Sequence, residues 1–103
     1  MSSAAAQRLQ GKTIVITGAS SGIGRSTAFE FARTAPKNDL RLVLTARRID
    51  TLKQIAEEIE EETQHGVKVL PAKLDVSLPD EVRGFVNSLP EEWRGVDVLV
   101  NNA

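Results

Sequence analysis

Cysteine and tyrosine are both absent from this chain of 103 residues, which has one histidine, one tryptophan and one methionine. Without cysteine there can be no disulfide, no thiol nucleophile and no cysteine–zinc centre, which fits a reducing compartment. Without tyrosine there is no phenol to move a proton. Long hydrophobic runs are lacking as well: nowhere do about 18 apolar residues follow one another, so no membrane span is expected. The start, Met1-Ser2-Ser3-Ala4-Ala5-Ala6-Gln7-Arg8, has no apolar core of signal-peptide length, and the expected location is cytoplasmic. A net charge of -1, with 26% of residues charged, gives neither nucleic acid nor an anionic membrane surface a reason to bind. The chain is long enough for one domain with a modest core, burying roughly 65% of the surface its unfolded form exposes.

What is present alternates between two hydrophobic periods. Residues 1–11 read as a flexible lead-in. Thr13 to Thr17 then reads as a strand, and from Gly22 onward Ile23, Ala28, Phe31, Ala32 and Ala35 fall on one helical face before Pro36 stops the helix. The loop Pro36-Lys37-Asn38-Asp39 leads to a second apolar strand, Leu40 to Thr45, which ends in Ala46-Arg47-Arg48. Leu52, Ile55, Ala56 and Ile59 recur at i, i+3, i+4 and i+7, the stripe of a second helix whose outer side is rich in glutamate and should face solvent. Gly66 is expected to end that helix, followed by a third strand over Val67 to Leu70. Ser77 reads as the N-cap of a third helix with the stripe Val82, Phe85, Val86 and Leu89, and Val96 to Val100 as a fourth strand before Asn101-Asn102-Ala103.

Units of this kind build an α/β protein with a doubly wound parallel sheet, because each crossover helix must cover a sheet face and right-handed crossovers leave few topologies. The expected strand order is 3-2-1-4. Winding reverses between strands 1 and 4, and the crevice outside their C-terminal ends is where ligands bind in such sheets. The segment Thr17-Gly18-Ala19-Ser20-Ser21-Gly22-Ile23-Gly24 would line it. Gly18 suits a tight turn, Gly22 allows close approach of a pyrophosphate, and Gly24 allows close packing of the helix that follows, whose free N–H groups would face the phosphates.

Three motifs together carry a family resemblance: Thr17-Gly18-x-x-x-Gly22-Ile23-Gly24, Leu74-Asp75-Val76 after the third strand, and Asn101-Asn102-Ala103 after the fourth. The chain resembles the short-chain dehydrogenase/reductase family over residues 12–103, as the N-terminal part of a Rossmann-type nucleotide-binding domain cut off after the fourth strand. In detail it looks most like NADP-dependent 3-hydroxy acid or serine dehydrogenases. The resemblance implies that Gly18, Ser20, Ser21, Gly22, Ile23 and Gly24 surround the cofactor phosphates. It further implies that Asp75 bonds the adenine amino group with Val76 beside it, and that Asn102 borders the adenosine ribose. Asn101 is expected to tie strands together. NADP is the expected cofactor, because Ala46 stands where NAD-preferring relatives place an acid, while Arg47 and Arg48 can meet a 2′-phosphate.

The resemblance also implies hydride transfer between NADP(H) and a hydroxyl or carbonyl carbon of a small substrate, and a parent that assembles as a homo-oligomer. Family catalysis relies on a serine and a Tyr-x-x-x-Lys pair, neither of which this chain supplies, so by itself it is expected to be inactive. His65 is expected to be a surface residue. A P-loop reading fails because no lysine follows the second glycine of any match. A methyltransferase would more often carry an acid where Ala46-Arg47-Arg48 stands. The alternative that remains is a non-catalytic nucleotide-binding fragment or regulatory form.

Overall fold

The computed structural model describes residues 4–20, 22–35, 37 and 39–102. Pro36, Asn38 and Ala103 lie outside the described residues, and so does the side chain of Val82. The described chain runs α1 (Ala4–Leu9), β1 (Thr13–Ile16), α2 (Gly22–Thr34), β2 (Leu40–Ala46), α3 (Ile49–Glu62), β3 (Val67–Lys73), α4 (Pro79–Ser88), a short 3-10 turn (Glu91–Trp93) and β4 (Val98–Val100). All strands are parallel, in the order β3-β2-β1-β4 that the sequence predicts. Helix α1 occupies part of the stretch read from sequence as a lead-in.

The register decides which residues meet. Ile14 and Ile16 stand beside Leu42 and Leu44 of β2, and beside Val98 and Val100 of β4. Successive strand residues point to opposite faces, so one face presents Ile14, Ile16, Leu40, Leu42, Leu44, Val67 and Val69. Helices α2 and α3 cover that face with Ala28, Phe29, Ala32, Leu52, Ile55, Ala56 and Ile59. The opposite face is smaller: Val15, Val43 and Leu74 pack against Phe85, Leu89 and Trp93. Strand β2, central and covered on both sides, is a nearly unbroken apolar run for that reason.

Five local expectations need correction. In α2 it is Phe29 that is buried, while Ile23 is 76% exposed. Arg25 and Arg33 lie over the Phe29 ring, 4.7 and 5.1 Å from its centre, and reach across to Glu58 and Glu62 of α3. Part of the acidic face of α3 is thereby engaged by its neighbour helix. Helix α3 ends at Glu62, and the left-handed turn after it is taken by Gln64 (φ 54) and His65 (φ 64), with Gly66 absent from that role. His65 is exposed, as expected. The third strand runs on to Lys73, beyond the expected Leu70. Finally, the N-cap of α4 is Leu78 and Pro79 opens the helix, because Ser77 spends its hydroxyl elsewhere.

Candidate functional site

The C-terminal ends of the strands are tied into one platform by hydrogen bonds. Thr17 N–H donates to Val100 O at 2.9 Å, Ala19 N–H to Thr45 O at 3.0 Å and Leu74 N–H to Ala46 O at 3.0 Å. The turn after β1 is thus anchored to β4 on one side and β2 on the other, and the exit of β3 is anchored to β2. The Thr17 hydroxyl sits at the junction: it donates to Asn101 Oδ1 (2.9 Å) and accepts from Asn102 N–H (3.0 Å). Asn101 therefore ties strand ends together, the role expected of it.

Within the glycine turn, Gly18 has φ +60 and Gly22 φ +58, both in the left-handed region where a side chain is strained. Gly24 is constrained differently. A Cβ there would run into the Gly18 carbonyl, so the first turn of α2 lies directly against the turn that precedes it. Ser21 lies outside the described residues.

Gly18, Ser20, Arg47, Asp75, Val76 and Asn102 come together around one cleft of about 400 Å³, completed by Ala46, Leu74 and Ser77. Residues separated by as many as 84 positions in sequence meet here. A neighbouring hollow of about 490 Å³ joins Ser20 and Arg47 to Arg48 and Thr51. Among the described residues neither Arg47 nor Arg48 has an ion-pair partner within 4.0 Å. Ile23, Gly22 and Gly24 do not line the cleft. Ile23 and Gly22 instead border a separate hollow of about 790 Å³, an apolar groove along α2 with Leu9 and Phe31.

Two polar groups of the cleft are unusual. Asn102 Nδ2 is buried without a hydrogen-bond partner among the described residues, an arrangement that native proteins rarely leave unfilled. Asp75 Oδ1 accepts both the Ser77 hydroxyl, at 2.6 Å, and the Ser77 N–H, at 2.9 Å. These two bonds, the hydroxyl first, hold the Asp75 carboxyl below the ordinary carboxylate value; Arg47 and Lys73 add to the effect and partial desolvation opposes it. The carboxylate is thus charged and oriented at neutral pH, with Oδ2 free of Ser77.

Sequence reasoning did not assign the parts played by Thr17 and Ser77. A signal existed for both: a lone hydroxyl at the end of an apolar strand, and a serine two residues after an aspartate, the spacing of a side-chain turn.

The short chain dehydrogenase family model matches residues 12–103. The chain belongs to that family. An NADP-dependent 3-hydroxy acid dehydrogenase of Schizosaccharomyces pombe is 54% identical to this chain over 96 residues, which are 93% of the chain and 35% of the relative. Among solved structures, L-sorbose reductase from Gluconobacter frateurii complexed with NADPH and L-sorbose is 41% identical with a TM-score of 0.77, over 92% of this chain and 34% of that one. An alcohol dehydrogenase from the archaeon Thermococcus sibiricus, complexed with 5-hydroxy-NADP, is 39% identical with a TM-score of 0.71, over 85% and 35%. The chain spans about a third of the length of these relatives.

Proposed function

We propose that the chain binds the adenosine half of NADP and that the protein it represents transfers a hydride between NADP(H) and a hydroxyl or carbonyl carbon of a small substrate, of the 3-hydroxy acid class. One observation carries the reading: Gly18 and Ser20 of the glycine turn, Arg47, Asp75 and Asn102 share a single cleft at the C-terminal ends of the strands, where winding reverses between β1 and β4. Its chemistry suits an adenine nucleotide. The turn offers backbone N–H groups and the positive end of α2 to phosphate. Arg47 and Arg48, which among the described residues have no ion-pair partner within 4.0 Å, offer donors to a 2′-phosphate where the buried Ala46 leaves no acid to repel it. Asp75 offers an acceptor to the adenine amino group, beside the apolar surface of Val76. The orphaned Asn102 Nδ2 offers a donor to the ribose. The NADP-dependent and NADP(H)-complexed relatives support the same cofactor.

Bound NADP supplies a nicotinamide carbon that gives or takes a hydride. This chain's own residues bind and orient it: Thr17 holds the Asn101–Asn102 segment against the turn, and Gly24 holds α2 against Gly18. No tyrosine is available to move the accompanying proton. The 103 residues alone therefore bind without turnover, and a non-catalytic nucleotide-binding form is the second reading. Titrating NADP, NAD and 2′-phospho-ADP-ribose by calorimetry tests the cofactor, and following NADPH consumption with 3-oxo acids and simple ketones in the whole protein tests the reaction. A protein that binds NAD as tightly as NADP would overturn the cofactor assignment.

A further inference from the structure

The element least explained by a phosphate-binding turn is Ser77. It lies on the rim of the nucleotide cleft, is exposed, and neither caps α4 nor packs in the core. Its two donors nevertheless converge on one atom, Asp75 Oδ1, at 2.6 and 2.9 Å. A carboxylate has two oxygens, and occupying one with two donors fixes the plane of the group and leaves the other to accept from elsewhere. Leu78 N–H closes the same turn onto Asp75 O at 3.1 Å, so the backbone beneath the carboxylate is fixed as well.

We propose that Ser77 is a positioning residue for base selection: it clamps Asp75 Oδ1 so that Oδ2 faces the 6-amino edge of an adenine, making the cleft select adenine over a 6-oxo purine. The proposal rests on the nucleotide reading of the cleft. Selection follows from hydrogen-bond polarity, since a charged carboxylate accepts from an amino group and repels the carbonyl oxygen that hypoxanthine carries at the same place. A carboxylate free to rotate could turn either oxygen away and would lose most of that contrast. The clamp has an electrostatic consequence too. The charged groups that face Asp75 are Arg47, from the end of β2, and Lys73, from the end of β3, and both favour the ionised form as Ser77 does. Ionisation thus survives loss of the Ser77 hydroxyl at neutral pH, while the carboxylate, left with the single backbone N–H bond on Oδ1, is freer to turn.

The experiment compares 2′-phospho-ADP-ribose with its hypoxanthine counterpart by calorimetric titration at neutral pH. In wild type the adenine form binds more tightly. Ser77→Ala is expected to weaken the adenine form about fivefold, a typical effect of one misaligned hydrogen bond, and to leave the hypoxanthine form within about twofold. Ser77→Thr keeps both donors and restores the contrast. In the ligand-free protein, the Asp75 carboxyl ¹³C titration moves to higher pH in Ser77→Ala and not in Ser77→Thr, which checks the clamp independently of any nucleotide. An equal loss for both bases, or a Ser77→Ala protein indistinguishable from wild type, overturns the proposal. A wild type that binds both alike overturns the proposal alone, whereas one that binds neither overturns the nucleotide reading and the proposal with it, and the two failures are told apart before any substitution is made.

Discussion

The Gly18 carbonyl occupies the space that a Cβ on Gly24 would need. Gly18 itself turns the chain with φ +60 at the end of β1, and Gly24 starts the buried side of α2, so the two glycines fix how closely that helix approaches the sheet. The obstacle is backbone, which cannot rotate away as a side chain would.

Gly24→Ala should therefore displace α2 and destabilise the fold by about 2–3 kcal/mol, the upper part of the usual overpacking range. The drop should appear in the midpoint of urea unfolding, together with weaker nucleotide binding. Gly84→Ala is the control: a Cβ at Gly84, within α4, meets nothing within 4 Å, and alanine there should stabilise by a few tenths of a kcal/mol. An unchanged midpoint in Gly24→Ala would show that the turn yields easily.

Arg47 stands at the end of β2 on the walls of both hollows, near Asp75 and without an ion pair of its own among the described residues. Replacing it with alanine should cost NADP about ten- to a hundredfold in affinity, the worth of one charge-assisted bond to phosphate. NAD binding should hardly change. Side-by-side titration of both cofactors decides the matter, and equal losses would assign Arg47 to a site other than the 2′-phosphate.

Strand β4 pairs with β1 on one side, and its residues Val98 and Leu99 are 40% and 64% exposed. Asp97 does not guard this edge. Its carboxylate accepts from Thr13 N–H at 2.9 Å and lies 3.9 Å from Lys12 Nζ, facing β1. The isolated 103-residue chain should accordingly self-associate at micromolar concentration, and Leu99→Lys should shift it toward monomer. Sedimentation velocity over a concentration series reads this directly. A wild-type chain that stays monomeric and melts cooperatively at high micromolar concentration would count against it.

Hydride transfer should be undetectable with the 103-residue chain alone. Its sequence has no tyrosine, and its single histidine, His65, is exposed in the turn between α3 and β3, a region that contributes nothing to the nucleotide cleft. The check is NADPH consumption with ketones and 3-oxo acids, beside the whole protein as positive control. Turnover that survives a second purification would mean that another group here moves the proton.

The alternation of helical and strand periods determined the architecture. Apolar-rich runs at Ile14–Ile16 and Leu40–Leu44 suit central parallel strands, the stripe Leu52, Ile55, Ala56 and Ile59 suits a helix laid on a sheet, and right-handed crossovers leave few topologies for such units, among them the observed β3-β2-β1-β4. Glycine spacing likewise announced the turn, because few other residues accept a positive φ or so close a backbone contact. What sequence could not determine were the partners of polar side chains. A hydroxyl bonds whatever the fold brings within about 3 Å, and spacing alone does not say what that is: Ser77 looked like a helix cap and became the clamp of Asp75, while Thr17 found Asn101 and Asn102 across 84 and 85 positions of chain. Which face of α2 was buried escaped for a related reason. Ile23 and Phe29 are equally apolar, and only the approach of α3, with Glu58 and Glu62 reaching Arg25 and Arg33 around the Phe29 ring, made one of them core and left the other in the open groove.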